Sequence, residues 1–270
     1  MDVFFLNGSG GPLFCVYHGA AKRRHPPLGL IYAPPFAEEM NRARRMAALQ
    51  ARRLAELGVD VLLLDPFGTG DSAGEFGEAS WEIWREDIKA AMGWLGARID
   101  GPVGLWGLRL GALLAADVAA ENPSRVSHLV LWQPVLSGDR YLTQFLRLRL
   151  AASLDKSASR ETTKDLRARL SAGEALEVAG YKLTPTLAGE IGSRNLAAFL
   201  QHTASPPLLW LEVAAEANAT LTAASQEVVD TVGQLRPVLA RSVLGEQFWM
   251  IQETTIAPNL LQATEDSLRK

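Results

Sequence analysis

The apolar residues of this chain fall into two alternating patterns. Short continuous runs at residues 28–33, 59–64, 126–133, 208–213 and 238–243 have the length and flanking turn residues of buried strands. Between them lie stretches with helical spacing: residues 38–57 (Met46, Leu49, Leu54, Leu57), 81–99, a stretch through about 234, and 258–268. Residues 3–6 and 13–17, joined by Asn7-Gly8-Ser9-Gly10-Gly11, predict an antiparallel hairpin. Strands alternating with helices predict a mostly parallel sheet covered on both faces. Ligand sites in such sheets lie beyond the carboxyl ends of the strands, here the loops that begin at Ala33, Asp65, Gly107, Gln133, Val213 and Leu244.

The alternation stops after residue 134. Residues 135–205 read mainly as helices, at 140–154, 160–172 and 187–202. Structureless loops of that length are rare in compact domains, so this stretch is expected to be a helical cap inserted into an α/β core of residues 1–134 and 206–270. In helix 38–57, Arg42, Arg44, Arg45, Arg52 and Arg53 are expected to form a solvent face braced by Glu38 and Glu56.

The centre of the pattern is residues 101–111. Val103, Leu105 and Trp106 form a buried strand, Gly107-Leu108-Arg109-Leu110-Gly111 a tight turn, and Leu110 onward a helix. Strand, glycine-flanked turn and immediate helix is the geometry of a nucleophile elbow. The usual middle residue is serine; here it is Arg109.

Composition narrows the classes. Hydrophobic residues make up 48% and charged residues 21% of 270, the balance of a globular chain. A net charge of −3, with basic residues scattered among acidic ones, gives no reason to expect nucleic acid. The single cysteine, Cys15, is read as a buried thiol in a strand. No signal-peptide pattern and no apolar run of membrane-spanning length is visible, so a cytoplasmic setting without a membrane span is expected. A homodimer is compatible with the chain. Neither a cofactor nor a metal is expected, since no two histidines or cysteines have metal-ligand spacing.

The elbow, the loop Asp65-Pro66-Phe67-Gly68-Thr69-Gly70-Asp71-Ser72 and the inserted cap occur in the order found in the α/β-hydrolase superfamily, which the whole chain resembles. Within it, Tyr32-Ala33-Pro34-Pro35-Phe36-Ala37-Glu38-Glu39-Met40-Asn41, Trp106-Gly107-Leu108-Arg109-Leu110-Gly111 and Phe248-Trp249 resemble the exosortase A system-associated hydrolase 2 group. That resemblance implies an α/β-hydrolase fold, a bacterial setting with extracellular polysaccharide and sorted surface proteins, and hydrolysis.

Acyl transfer on such a fold needs an elbow nucleophile, a histidine after the last strand and a carboxylate orienting it. Arg109 stays protonated and serves neither as nucleophile nor as base. The histidine region holds Glu246 and Gln247, and no histidine follows His202. Glu212 or Glu216 stands at the acid position with no base to orient. The Ser-His-acid mechanism is therefore excluded. His18, His25 and His128 read as structural or exposed, and His202 as a helix-end residue. Ser72 is read as a turn residue, with replacement nucleophile as the weaker alternative.

A cation at a helix N-terminus needs a negative companion. For Arg109 the candidates are Glu38, Glu39, Asp65, Glu212 and Glu246, with Glu246 preferred because it stands near the missing histidine. The alternative role is a forked donor to a substrate carboxylate or phosphate, and the two are compatible. Pro34-Pro35-Phe36-Ala37 occupies the usual oxyanion-hole loop, where only Phe36 and Ala37, with Leu110 after the elbow, could supply amides; a rigid corner leading into the helix at Glu38 is an equal reading. The expected ligand-binding set is thus Arg109, Leu110, Phe36, Ala37, Glu38, Asp65 and Gln133. Three readings follow: a binder of a small acyl or anionic ligand beneath the cap, an ester or thioester hydrolase with a nucleophile outside the elbow, and an interaction protein whose cap docks a partner.

Overall fold

The computed structural model describes residues 1–22, 24–152, 161–201 and 206–269. Its centre is an eight-stranded sheet. In chain order its strands are β1 (Asp2–Asn7), β2 (Pro12–His18), β3 (Leu28–Ala33), β4 (Val59–Leu64), β5 (Val103–Leu108) and β6 (Val126–Trp132). After the insertion come β9 (Leu208–Ala214) and β10 (Val238–Leu244), and the spatial order is β1-β2-β4-β3-β5-β6-β9-β10. The hairpin β1–β2 and the β2–β4 pair are antiparallel; all other pairs are parallel. This is the α/β-hydrolase fold.

Helices α1 (Glu38–Glu56) and α9 (Pro258–Leu268) cover one face, and α2 (Trp81–Ile99), α3 (Leu110–Glu121) and α8 (Ala223–Gly233) the other. Every residue of β3 and β5 is buried, as continuous apolar strands in a two-sided sheet must be. Cys15 is fully buried in β2. On α1 the buried stripe runs Glu39, Ala43, Met46, Ala47, Gln50, Leu54. The arginines opposite are not braced by Glu38 and Glu56. Arg44 makes a two-pronged pair with Asp65 (3.0 and 2.9 Å), Arg53 meets Glu265 at 2.6 Å, and Arg42 donates to the Met250 carbonyl. They tie α1 to the loop after β4 and to the C-terminal segment, because their long stems reach across neighbouring elements.

Between β6 and β9 the chain leaves the sheet. It forms α4 (Gly138–Ala152), α5 (Thr163–Ser171), a two-stranded hairpin β7 (Leu176–Val178) and β8 (Tyr181–Leu183), α6 (Pro185–Gly192) and α7 (Leu196–Leu200). The hairpin departs from the all-helical expectation: Val178, Ala179 and Gly180 turn too tightly for a helix, with positive φ at Ala179 (52°) and Gly180 (84°). Glu190 of α6 accepts from the Trp81 amide at 2.8 Å, and Arg194 lies 3.7 Å from Asp117 of α3, so these elements are anchored to the core. The expected end of the first inserted helix at 154, the expected start of the second at 160 and the expected end of the third at 202 lie outside the described residues.

The elbow is closely packed. Arg109 has φ 56° and ψ −118°, a conformation rare for any residue with a side chain. A Cβ on Gly107 would stand 2.4 Å from Ala112 Cα, and one on Gly111 would stand 2.2 Å from the Ala33 carbonyl oxygen. Both contacts are with backbone, which cannot swing aside. Gly111→Ala is therefore expected to lower stability by at least about 3 kcal/mol in urea unfolding; a loss under 1 kcal/mol would mean that β3 and α3 are less closely fitted.

Candidate functional site

Because β3 and β5 are adjacent, with Ala33 opposite Gly107, the loop after β3 lies beside the elbow. That adjacency brings Glu39, in the first turn of α1, to Arg109. Arg109 Nε stands 3.4 Å from Glu39 Oε1, and the two side chains are 16% and 9% exposed. Glu39, not Glu246, is the partner. Glu246 is exposed at the surface and accepts from Thr255 Oγ1 at 2.7 Å, and Gln247 is exposed beside it. The expectation failed because the loop after β10 turns its apolar pair inward: Phe248 and Trp249 are buried and fill the place proposed for the histidine. The Arg109 guanidinium lies between two rings, 5.6 Å from Tyr141 of α4 and 5.7 Å from Trp249.

The pair is incomplete. Arg109 Nη1 and Nη2 donate to no described residue, and Glu39 Oε2 is buried without a hydrogen-bond partner. Burial pushes the Glu39 carboxyl up to about 7, with Arg109 and Tyr141 pulling it down and Glu38 pushing it up. Near neutrality the carboxylate is therefore only partly ionised, and the guanidinium charge only partly compensated.

Phe36, Ala37 and Leu110 line one narrow cavity of ≈ 20 Å³, room for about one water. Its wall is apolar, with Trp81, Trp84 and Phe76 among its members. Phe36 packs edge-on against Phe76, Trp84, Tyr141 and Phe145 (centroids 4.9–6.1 Å), so the inserted helix α4 is seated on the residue beside the elbow. Ala37 has φ 52° and ψ −127°, nearly the Arg109 conformation, at the start of α1.

Other sequence candidates sit apart from the guanidinium. Asp65 is held by Arg44 and the Asp71 amide. Glu38 is half-buried, its Oε2 unpaired and its carboxyl raised by burial. Gln133, at φ 40°, uses its side-chain oxygen to accept from the Val213 amide at 2.8 Å and so joins β6 to β9. Glu212 is buried but committed to Trp210 Nε1 and the Thr222 amide (3.1 and 3.2 Å); Glu216 is exposed. Ser72 donates to the Asp65 carbonyl and accepts from the Phe14 amide, a turn residue with both valences used. His18 pairs with Val61 in the sheet, and the His128 backbone and Cβ neighbour Gly104 near the start of β5. His202 lies outside the described residues.

Tyr141 and Trp249 were not foreseen as site residues. Glu39 carried a readable signal: it heads the apolar stripe of α1 at positions 39, 43, 46, 47 and 50, where a lone carboxylate needs a cation.

Residues 36–231 match the family model described as serine aminopeptidase, S33, and the chain belongs to that family of α/β hydrolases. No curated protein matches the chain. Among solved structures it is similar to Est1E of Butyrivibrio proteoclasticus with bound ferulic acid (TM-score 0.66, 16% identity, 98% of this chain and 96% of that one). It is also similar to mouse alpha/beta hydrolase domain-containing protein 10 (0.61, 18%, 99% and 98%). A third is XC6422 of Xanthomonas campestris, described as an α/β serine hydrolase without lid (0.58, 17%, 99% and 93%). At these identities the likeness is one of fold. Among the described residues no helix is long and apolar enough to cross a membrane.

The raised Glu39 carboxyl has a consequence for stability. Its folded value lies above the unfolded 4.5, so its favourable share is complete below about 4.5 and is lost as pH rises through about 7. Glu39→Gln is expected to flatten that fall, which amounts to about 3 kcal/mol at most. Urea midpoints from pH 4.5 to 8 test this; identical slopes for the two proteins would contradict the assignment.

Proposed function

We propose that this protein binds a small acyl or anionic ligand, a carboxylate or phosphate, through Arg109 at the elbow, and does not carry out Ser-His-acid acyl transfer. The observation that carries this reading is the guanidinium itself: largely buried, at a helix N-terminus, with two terminal nitrogens that donate to no described residue. A planar fork in that state matches the two oxygens of a carboxylate or phosphate. Protonation of Glu39 would free it further. Phe36, Ala37 and Leu110 would line the acyl end, in the narrow cavity beside the elbow, whose wall includes neither Arg109 nor Tyr141.

In this reading residues 135–205 act as the cap, and residues 1–134 and 206–270 as the scaffold. The resemblance to the exosortase A system-associated hydrolase 2 group supports a role beside bacterial polysaccharide export or surface-protein sorting, in the cytoplasm. Hydrolysis of an ester or thioester by another nucleophile has less support, since Ser72 is engaged in its turn. Partner docking by the cap has less too: of the described large apolar cap side chains, Leu148 alone is counted exposed.

Isothermal titration with benzoate and phenyl phosphate tests the proposal. Binding to the unaltered protein and a loss of about tenfold or more in Arg109→Ala are expected, with Arg109→Lys intermediate. Equal affinity in all three proteins would overturn it. A fluorophosphonate probe is expected to leave the protein unlabelled, and Arg109→Ser is expected to hydrolyse aryl esters no faster than background, because no base takes the proton. Substantial turnover by Arg109→Ser would reveal a base unaccounted for.

A further inference from the structure

A second cavity lies on the α1 face of the sheet, between α1 and strands β2 and β4. Its volume is ≈ 180 Å³. A cavity of about 150 Å³ accepts benzene, so this one has room for roughly six to eight carbon atoms.

One buried polar group lines it without a partner. Tyr32 is 4% exposed, and its hydroxyl makes no hydrogen bond. His18, 5% exposed, lines it as well. Leaving the Tyr32 hydroxyl unpaired costs about 1–3 kcal/mol, which a polar ligand would recover. Burial, followed by nearby positive charge, holds His18 below its usual range, so the neutral ring offers one donor and one acceptor.

The sheet register separates the two groups. His18 stands opposite Val61 and Tyr32 opposite Leu63, on the same face but on either side of β4. Two strand spacings across and two residues along put their Cα atoms about 12 Å apart. Between them the floor is apolar, formed by Val16, Leu63 and Ala48. The charges at the two ends differ. Near Tyr32, Arg44 is neutralised by its two bonds to Asp65. Near His18, Arg52 is exposed and makes no ion pair with a described residue. One end therefore favours an anion, and the other a neutral hydroxyl.

We infer that this groove is a binding site for a short-chain carboxylic acid bearing a terminal hydroxyl. The carboxylate would lie at Arg52 and His18, the chain over Val16 and Leu63, and the hydroxyl at Tyr32. The site is separate from Arg109 and does not depend on the role proposed there.

Isothermal titration with hexanoate and 6-hydroxyhexanoate tests it on the full chain. One site per chain is expected, with 6-hydroxyhexanoate binding about fivefold more tightly. Arg52→Ala, a change at the surface, should weaken both by about fivefold or more. Tyr32→Phe should leave hexanoate unchanged and abolish the advantage of the hydroxyl. Arg109→Ala should alter neither. Absence of saturable binding, an unchanged affinity in Arg52→Ala, or loss of binding in Arg109→Ala would each overturn the inference; the last would assign these acids to the elbow instead.

Discussion

The close crossing of β5 and α3 governs this structure. Strand β5 approaches the helix so nearly that Gly107 has no room for a Cβ, the end of β3 crowds Gly111 in the same way, and Arg109 between them is held at φ 56° and ψ −118°. That strain, of order 1–3 kcal/mol, persists because the surrounding strands leave no alternative. It projects one side chain from the carboxyl edge of the sheet, at the mouth of a helix whose first amides carry no side-chain cap. The geometry presents whatever residue occupies position 109.

An arginine there changes what the rest of the site must supply. A positive charge at the positive end of a helix is unfavourable by about 0.3–1 kcal/mol and needs a companion. Glu39 is that companion, delivered by the adjacency of β3 and β5, and two aromatic rings cover the guanidinium. The same crowding that shields the pair also desolvates Glu39, so its charge is only partial near neutral pH. Phe36 joins this arrangement to α4 through the Tyr141 and Phe145 rings and to the core through Phe76 and Trp84.

Much of the scaffold was legible in the sequence. The continuous apolar runs coincide with β3, β4 and β9, and the helical patterns at 81–99 and 258–268 with α2 and α9, because burial on both sheet faces leaves the strands little choice. The elbow was legible for a different reason: two glycines at fixed spacing record a backbone contact. The β7–β8 hairpin was not, since three-residue strands are too short to show alternation. Side-chain partners were the least legible. Arg109 was assigned to Glu246 by its place along the chain, whereas the pairing follows from which strands are neighbours. Arg44, Arg53 and Arg42 looked like a solvated helix face and instead reach Asp65, Glu265 and the Met250 carbonyl. Trp249 and Tyr141 carried no local mark of their proximity to the elbow.

A double-mutant cycle across Arg109 and Glu39 probes the central contact directly. Urea unfolding at pH 8 of the unaltered protein, Arg109→Gln, Glu39→Gln and the double variant yields a coupling energy free of most single-site effects. A favourable coupling of about 1 kcal/mol or more is predicted, shrinking as the pH is lowered through 7 and Glu39 takes up its proton. A coupling indistinguishable from zero at pH 8 would mean that the elbow cation is balanced elsewhere, and would contradict the account.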